Sequence, residues 1–352
     1  MPQTKTLRAG VLGASGYTGA DLLRLLHGHP AVDIALVSGG RRAGEELGRV
    51  LPSFAPWQGA TLTAMEAIDW PTAEIDLVFC ALPHGATQAE VTRIRQARPE
   101  LPIIDLSADF RLRDAAVYQQ WYGLTHCAPA LLASAVYGLS EWARDALRTA
   151  DLIACPGCYP TAALLALLPI LDLVDCDEIA IDAKSGVSGA GRGLKDANLF
   201  CEVAEAIHPY GLGGHRHMPE IEQELALRLG RDLRIGFTPH LVPINRGELE
   251  TIYLRLQPGV DAADVYQALA DRYAAEPFVH VLEEAVVPAT RMVRGSNHCV
   301  LNVFQDRRPG RAILVAAIDN LVKGSSGQAV QNMNIRFDWP EGTGLQGVAL
   351  FP

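Results

Sequence analysis

Long apolar runs, surplus positive charge and a regular cysteine framework are all missing from this sequence. No segment holds the roughly 18 successive uncharged apolar residues that a membrane-spanning helix needs. The 352 residues carry a net charge of −10, so the basic surface that nonspecific nucleic-acid binding requires is not expected. The seven cysteines are odd in number and irregularly spaced, which favours reduced thiols over disulfides.

The N-terminal segment also lacks the features of a secretory signal. Residues Met1–Arg8 are polar and lead directly into an apolar strand, without the apolar core of a signal peptide. We therefore expect a cytoplasmic protein that has neither a membrane nor a nucleic acid as its partner. A chain of this length suits two domains of ordinary size.

The first part of the chain alternates between short apolar runs and helical patterns. Such alternation predicts a parallel sheet wound with helices, as in a Rossmann-type domain. The predicted strands are Leu7–Leu12, Val32–Val37, Ile75–Ala81 and Ile103–Leu106, and the predicted helices are Tyr17–His27 and about Ala86–Ala97.

The second part of the chain is richer in strands and predicts an α+β domain with a mixed or antiparallel sheet. A helix that is apolar all round begins near Pro160, and the last helix, at about Ile318–Gln331, is expected to return to the first domain. The remaining predicted elements are strands at Glu178–Lys184, Leu249–Leu256, Phe278–Leu282, Cys299–Phe304 and Ala312–Ala317, and a helix at Ala262–Tyr273.

A glycine-rich turn, GASGYTG, connects the first predicted strand to the first predicted helix. Glycines let the backbone approach a pyrophosphate, and the helix N-terminus offers N–H donors and the positive end of its dipole. A strand–helix turn without a ligand would have the same composition. The turn predicts a dinucleotide site with contacts from Gly13, Ser15, Gly16, Tyr17, Thr18 and Gly19.

The second strand ends without the acidic residue that usually selects NAD. The sequence after Val37 is Ser38-Gly39-Gly40-Arg41-Arg42, which has no carboxylate to bind a ribose 2′-hydroxyl or to repel a 2′-phosphate. A hydroxyl and two guanidinium groups suit the extra phosphate of NADP. We therefore predict NADP(H) as the cofactor, bound in part by Ser38 and Arg41, with a solvated basic turn as the alternative.

The stretch CPGCYPTA precedes the helix that is apolar all round. A helix N-terminus lowers the pKa of a thiol, so Cys158 is a candidate nucleophile, and backbone N–H groups at the turn could hold an oxyanion. The CxxC spacing also occurs in thioredoxin-like redox pairs and in zinc sites. The flanking sequence does not resemble a thioredoxin, however, and no second ligand pair follows, so no metal is expected. Inert core cysteines are the common case, but a cysteine together with a nicotinamide site favours a thioester-forming dehydrogenase or reductase.

Three further segments carry candidate groups. His215 and His217 precede a helical pattern, and histidine can move protons near neutral pH. The loop Ser185–Arg192 offers hydroxyls, N–H groups and a guanidinium to an anion. Arg111 follows the fourth strand, where a parallel sheet faces its ligand. An exposed histidine turn and a surface ion pair of Arg111 are the alternatives.

These segments together resemble the N-acetyl-gamma-glutamyl-phosphate reductase family over nearly the whole chain. The family is related to aspartate-semialdehyde dehydrogenase. The motifs PGCYPTA and HRHMPE together are highly specific. The similar motifs are GASGYTG at Gly13–Gly19, ALPHG at Ala81–Gly85, DLSADFR at Asp105–Arg111, PGCYPTA at Pro156–Ala162, SGVSGAGR at Ser185–Arg192, HRHMPE at His215–Glu220 and IDNLVKGSSGQAVQNMN at Ile318–Asn334.

The resemblance implies an α/β chain with two domains. Residues 1–155, completed by 320–352, would form a Rossmann-type NADP-binding domain, and residues 156–319 an α+β catalytic and dimerisation domain. Cys158 would be the nucleophile, His215 the acid/base and His217 a substrate contact. Further cofactor contacts are implied at Pro83, Ser188, Gly189 and Asn320, and substrate contacts at Ser107, Arg111, Ser185, Gly186 and Arg192.

The implied reaction is the NADPH-dependent reduction of N-acetyl-L-glutamyl 5-phosphate to N-acetyl-L-glutamate 5-semialdehyde and phosphate, through a Cys158 thioester, in arginine biosynthesis. The substrate is then a small acyl phosphate, and the expected assembly is a homodimer or homotetramer. Two alternatives are a carrier-protein-linked aminoadipyl or glutamyl phosphate reductase of a lysine-type pathway, and a non-enzymatic NADP-binding regulator.

Overall fold

The computed structural model describes residues 6–57 and 59–351 and divides the chain into two compact units. The first unit comprises the chain up to Pro156 together with Ser325–Gln346. The second comprises Gly157–Gly324 and the residues from Gly347 onward. In the described part of the chain, no helix is long and apolar enough to span a membrane.

A six-stranded parallel sheet with the order β2-β1-β3-β4-β6-β5 forms the centre of the first unit. Its inner strands are almost continuously buried, as expected for a parallel sheet covered on both faces. This sheet confirms the predicted Rossmann-type domain. The strands are β1 (Leu7–Leu12), β2 (Val32–Val37), β3 (Leu77–Cys80), β4 (Ile103–Asp105), β5 (Val136–Tyr137) and β6 (Leu152–Ala154).

The helices of the first unit differ in how they are buried. The first presents its leucines to the core, as predicted, whereas nine of the ten residues of the last are buried although many carry amides. Those amides are hydrogen-bonded: Gln328 and Asn332 both donate to the Gly138 carbonyl oxygen, at 3.1 and 3.0 Å. The helices are α1 (Tyr17–His27), α2 (Leu47–Val50), α3 (Thr87–Ala97), α4 (Ala115–Tyr122), α5 (Ser140–Leu147) and α10 (Gly327–Arg336).

The second unit contains a seven-stranded mixed sheet with the order β11-β12-β13-β10-β7-β9-β8, which confirms the predicted α+β domain. Its helices are α6 (Cys158–Leu167), α7 (Phe200–Val203), α8 (Met218–Leu229) and α9 (Ala262–Tyr273). Its strands are β7 (Ala180–Gly186), β8 (His208–Pro209), β9 (Gly236–Val242), β10 (Glu248–Arg255), β11 (Val279–Val281), β12 (Cys299–Gln305) and β13 (Arg311–Ile318).

The prediction of a helix from about Ile318 is wrong. Ile318 is the last residue of β13 and pairs with β10 and β12. The Asp319 carboxylate then accepts the N–H groups of Leu321 and Val322, at 2.9 and 3.0 Å, and turns the chain. A π-helical turn at Val322–Ser326 follows, so regular α-helix begins only after it, at α10.

Candidate active site

The glycine turn after β1 has a backbone that only glycine tolerates at two positions. Gly13 has φ +80°, and a Cβ there would lie 2.3 Å from the carbonyl oxygen of Ala81, just after β3. A Cβ on Gly19 would lie 2.4 Å from the Gly13 carbonyl oxygen. The turn and α1 therefore pack closely on the sheet, as a dinucleotide-binding turn requires.

The first turn of α1 is suited to an anion. Gly16 caps the helix without a side-chain hydrogen bond, and no acidic residue lies in the first turn. A Cβ on Gly16 would meet only the Gly13 carbonyl oxygen, at 3.6 Å, so a ligand has room to approach. Ser15 and Thr18 are half-buried here, and Tyr17 is exposed. These residues fit the pyrophosphate of a dinucleotide, since helix N-termini bind phosphates.

The residues after β2 have separate roles in the structure. Ser38 is fully buried, and its hydroxyl oxygen accepts the Gly13 N–H at 3.3 Å, so it holds the glycine turn. Arg41 and Arg42 are both exposed. Arg42 forms an ion pair with Glu45 at 3.2 Å, whereas Arg41 forms none with the described residues. Arg41 is therefore the guanidinium available to a 2′-phosphate.

One carboxylate holds the segment that follows β3. Asp109 accepts the N–H groups of Gly85 and Thr87, at 2.7 and 3.0 Å, and the Tyr118 hydroxyl at 2.7 Å. Pro83, a predicted cofactor contact, is exposed within this segment. The DLSADFR motif thus fixes the ALPHG motif at the carboxyl edge of the parallel sheet, where ligands bind in such folds.

Ser107 and Arg111, both predicted to bind substrate, are engaged by the protein itself. The Ser107 hydroxyl donates to Asp105 at 2.8 Å, and burial raises the pKa of Asp105 to about 7. The Arg111 guanidinium is buried and donates to the carbonyl oxygens of Leu106 and Cys155, at 2.9 and 2.7 Å. Arg111 therefore fixes the backbone of the CxxC segment, and substrate contacts by Ser107 and Arg111 stay predictions.

Cys158 is the first residue of α6, which begins two residues earlier than the predicted start near Pro160. Gly157 caps the helix, and its N–H donates to the Glu220 carboxylate of α8 at 2.8 Å. The other residues of α6 are buried, whereas Cys158 is partly exposed. The dipole of α6 favours a negative charge at this sulfur, which suits a nucleophilic thiolate.

Aromatic and imidazole rings form a cluster beside the start of α6. The ring centroids of Tyr159, Tyr210, His215, His217 and Phe237 lie 5.0–5.7 Å from their neighbours in the cluster. The hydroxyl oxygens of Tyr159 and Tyr210 are 3.1 Å apart. The structure therefore brings both predicted histidines into one cluster with the residue next to Cys158.

His215 is neutral at neutral pH. Burial, and then the charge of Arg216, lower the pKa of His215 to about 4. Its Nδ1 accepts the backbone N–H of His217 at 3.3 Å, so the proton of the neutral ring is carried by Nε2. His215 can consequently donate a hydrogen bond to a developing oxyanion.

The loop after β7 lies beside Asn320. The Asn320 amide donates to the Ser188 hydroxyl at 3.0 Å and accepts the Gly247 N–H at 2.9 Å. A Cβ on Gly189 would lie 3.0 Å from the Ser185 hydroxyl and 3.6 Å from this amide. Gly186 is buried, and Arg192 is exposed at the far end of the loop. The structure thus gathers the predicted residues Ser185, Ser188, Gly189 and Asn320 into one polar group.

The cysteines are free thiols, and Cys155 and Cys158 form no disulfide. The Cys155 thiol donates to the Ser325 carbonyl oxygen at 3.5 Å. Among residues 6–57 and 59–351, no group of three or more His, Cys, Asp or Glu side chains could hold a metal ion.

Three residues near Cys158 were not assigned from the sequence. Glu220 lies in the HRHMPE motif, and its contact with Gly157 explains why that motif accompanies PGCYPTA. Glu248 directly precedes the predicted strand that starts at Leu249 and lies in phase with Ile252 of that strand, which is the sequence signal that its carboxyl is buried. No local signal indicates that Gly324 contacts Cys158, although a Cβ on Gly324 would lie 2.7 Å from the Cys158 Cβ.

Two families match consecutive parts of the chain. The semialdehyde dehydrogenase NAD-binding domain matches residues 8–150, and the semialdehyde dehydrogenase dimerisation domain matches residues 158–320. Among solved structures, the chain is similar to aspartate semialdehyde dehydrogenase II of Vibrio cholerae complexed with ASA, at TM-score 0.72 and 18% identity, covering 95% of this chain and 99% of that one. It is also similar to the Candida albicans aspartate semialdehyde dehydrogenase with NADP, at TM-score 0.66 and 18% identity, covering 94% and 98%. At 18% sequence identity, these similarities show a shared fold only.

Proteins called N-acetyl-gamma-glutamyl-phosphate reductase are much more similar in sequence. The Rhodospirillum rubrum protein is 52% identical over 353 residues, which is 99% of this chain and 100% of that protein. The Afipia carboxidovorans protein is 50% identical over 345 residues, which is 97% and 98%. A probable chloroplastic form from Oryza sativa subsp. japonica is 51% identical over 348 residues, which is 98% and 83%.

Proposed function

The chain belongs to the N-acetyl-gamma-glutamyl-phosphate reductase family, and from this premise we propose that it reduces N-acetyl-L-glutamyl 5-phosphate to N-acetyl-L-glutamate 5-semialdehyde and phosphate, in arginine biosynthesis. The observation that carries the proposal is the position of Cys158 at the start of α6, next to the ring cluster with its two histidines. A thiolate at a helix N-terminus can form the thioester that this reaction needs.

We assign binding of the NADP(H) cofactor mainly to the first unit. NADPH, when bound, supplies the hydride that reduces the thioester. The Gly13–Gly19 turn and the first turn of α1 bind its pyrophosphate, and Arg41 binds its 2′-phosphate. Pro83, Ser188, Gly189 and Asn320 are proposed as further contacts.

The acyl transfer is assigned to the second unit. The Cys158 sulfur forms a bond to the acyl carbon, and the bond between that carbon and the phosphate oxygen then breaks. N–H groups in the first turn of α6 stabilise the oxyanion that develops on the carbonyl oxygen. The hydroxyls of the Ser185–Arg192 loop, together with Arg192, receive the departing phosphate.

His215 is assigned the acid/base position and His217 a substrate contact. As hydride adds to the thioester carbon, the Nε2–H of His215 donates a hydrogen bond to the oxyanion that forms on the carbonyl oxygen. The carbon–sulfur bond of this hemithioacetal anion then breaks, the carbonyl forms again, and the aldehyde leaves with the Cys158 thiolate restored. A neutral ring of low pKa suits this step, because it can donate this hydrogen bond whenever the thiolate is present.

The second unit is also proposed to form the oligomer. The matching family is described as a dimerisation domain, and one face of the mixed sheet keeps Leu249, Thr251 and Tyr253 half-buried or exposed. A homodimer or homotetramer in the cytoplasm is the assembly that we propose.

The reaction is tested in reverse, because acyl phosphates hydrolyse. The full chain is mixed with NADP, phosphate and N-acetyl-L-glutamate 5-semialdehyde, and the absorbance of reduced nicotinamide is followed. We expect turnover that stops when sulfate replaces phosphate, since only phosphate can cleave the thioester to an acyl phosphate. Bound NADP without turnover would contradict the proposal and favour a carrier-linked substrate or a regulator.

Arg41→Ala is expected to raise the KM for NADP by about 10- to 100-fold, because it removes a charge-assisted contact worth roughly 1.5–3 kcal/mol. The KM for NAD should not change, since NAD has no 2′-phosphate. Arg42→Ala is the matched control, because this neighbouring guanidinium is already paired with Glu45. Equal KM values for NADP in the two variants would exclude Arg41 as the selective contact.

A further inference from the structure

A buried carboxyl group faces the candidate nucleophile. Glu248 is the first residue of β10 and pairs with Ser185 of β7 and Ile318 of β13, so it lies inside the mixed sheet. Its side chain is fully buried. Neither carboxyl oxygen has a hydrogen-bond partner among the described residues, and Cys158 is the neighbouring thiol that acts on the pKa of this carboxyl.

The packing around this pair is close. A Cβ on Gly324 would lie 2.7 Å from the Cys158 Cβ and 3.2 Å from the Cδ1 atom of Ile318, which is the register partner of Glu248. Helix α6 packs on both β10 and β13. Burial, and then the charges of Tyr210, Glu248 and Cys158, raise the pKa of Tyr159. The carboxyl therefore lies where little water can enter, next to a thiol that is partly exposed.

The charged groups around Glu248 favour its protonated form. Burial raises the pKa of Glu248 to about 8, the neighbouring Cys158 thiol lowers it, and the charge of Asp319 raises it. Asp319 is itself paired with Arg246, at 3.5 Å. Glu250, two residues along the same strand face, is likewise buried and has a raised pKa.

Two groups on other elements complete these surroundings. Tyr210 has its pKa raised by burial and also by Cys158 and Glu248. Lys184 lowers the pKa of Glu250, but it is not among the groups that act on Glu248. The groups that act on the Glu248 carboxyl are therefore acidic or phenolic, and no positively charged side chain of the described residues is among them.

We propose that Glu248 is a catalytic residue that shares a proton with Cys158. In the reactive form the pair holds a single proton. When the sulfur lone pair forms the bond to the acyl carbon, that proton stays on the Glu248 carboxyl. When the carbon–sulfur bond breaks and the aldehyde leaves, the carboxyl O–H again donates to the thiolate. The reaction steps rest on the function proposed above, whereas the thiol–carboxyl pair does not.

The physical reason is the charge of the pair. A neutral carboxyl donates a hydrogen bond to a thiolate and stabilises it, whereas an ionised carboxylate repels a second negative charge in the same buried space. Two groups that interact this strongly lose their protons in two separate steps that belong to the pair. The thiolate of Cys158 should consequently appear in two stages as the pH rises.

The rate at which iodoacetamide alkylates Cys158 measures this directly in the full chain, with mass spectrometry to identify the modified cysteine. Wild type is expected to show two steps in its pH profile. Glu248→Gln should show one step, at a pH at least about one unit below the upper wild-type step, because the repelling charge is gone. Glu250→Gln, equally buried on the same strand face, is the matched control and should keep both steps.

A Glu248→Gln profile that superimposes on the wild-type profile would overturn the proposal. If that variant does not fold, infrared difference spectra of wild type before and after alkylation decide instead. Alkylation should shift the band of a protonated carboxyl group, because its thiol partner is lost. An unchanged carboxyl region would equally overturn the pairing.

Turnover separates this inference from the proposed function. Glu248→Gln is expected to lower kcat at neutral pH by about 100-fold, a usual effect of losing an acid–base group, with little change in KM. An unchanged kcat would exclude the catalytic role. Two alkylation steps in a wild-type protein without turnover would support the pair and contradict only the proposed reaction.

Discussion

Cys158→Ser should abolish phosphate-dependent turnover, with a loss of about 10⁴-fold or more, as when other covalent nucleophiles are removed. A serine hydroxyl at the start of α6 stays protonated at neutral pH, because its pKa is far above that of a thiol. Any ester that did form would resist hydride, since oxygen donates into the carbonyl more strongly than sulfur does. Formation of the covalent intermediate and hydride transfer therefore both fail, and the reverse assay measures the loss of turnover.

Cys201→Ser is the control for this substitution. Cys201 is an exposed free thiol that lies outside the ring cluster, so its replacement should leave turnover unchanged. NADP binding by the Cys158→Ser variant, followed by nucleotide fluorescence, should match wild type because the glycine turn is untouched. Residual activity above about 1% of wild type would show that Cys158 is not the covalent nucleophile.

The first unit was predictable because its longer strands are short apolar segments between turn residues. Leu7–Leu12 is almost continuously buried, whereas the edge strand Val32–Val37 alternates between half-buried and exposed residues up to Leu36, and both have the bounds that the sequence predicts. Strand β6, Leu152–Ala154, is too short for a periodic signal and was missed. Strand β9 was missed because proline and histidine at Pro239 and His240 interrupt its alternation.

The candidate site was predictable only where its residues are adjacent in sequence. The motifs around Cys158 and His215 contain glycine, proline and histidine in patterns that imply a turn or an acid/base group. The contacts of Cys158 with Glu248 and Gly324 arise from the pairing of β10 with β13 and from the turn after β13. Such long-range contacts depend on tertiary packing, and no local pattern of residues specifies them.

Gly324→Ala is expected to lower kcat by about 100-fold, the usual cost of displacing a reacting group by about 1 Å. Gly324 lies in the π-helical turn Val322–Ser326, and its φ is not in the left-handed region, so an alanine backbone is tolerated there. The new methyl group would lie 2.7 Å from the Cβ of Cys158 and 3.1 Å from its Cα. Both atoms are tied to the backbone of α6, so the nucleophile itself must move.

The comparison with Gly347→Ala isolates this effect. A Cβ on Gly347, also in the second unit, has no neighbour within 4 Å, so its replacement should keep wild-type turnover. Alkylation of Cys158 in the Gly324→Ala variant should be altered along with kcat, because both depend on the sulfur position, while NADP affinity stays the same. Wild-type turnover in Gly324→Ala would mean that α6 can shift without cost and that the fixed position of Cys158 does not limit the rate. A loss of turnover with unchanged alkylation would instead place the effect on substrate binding, since the thiol would still be correctly held.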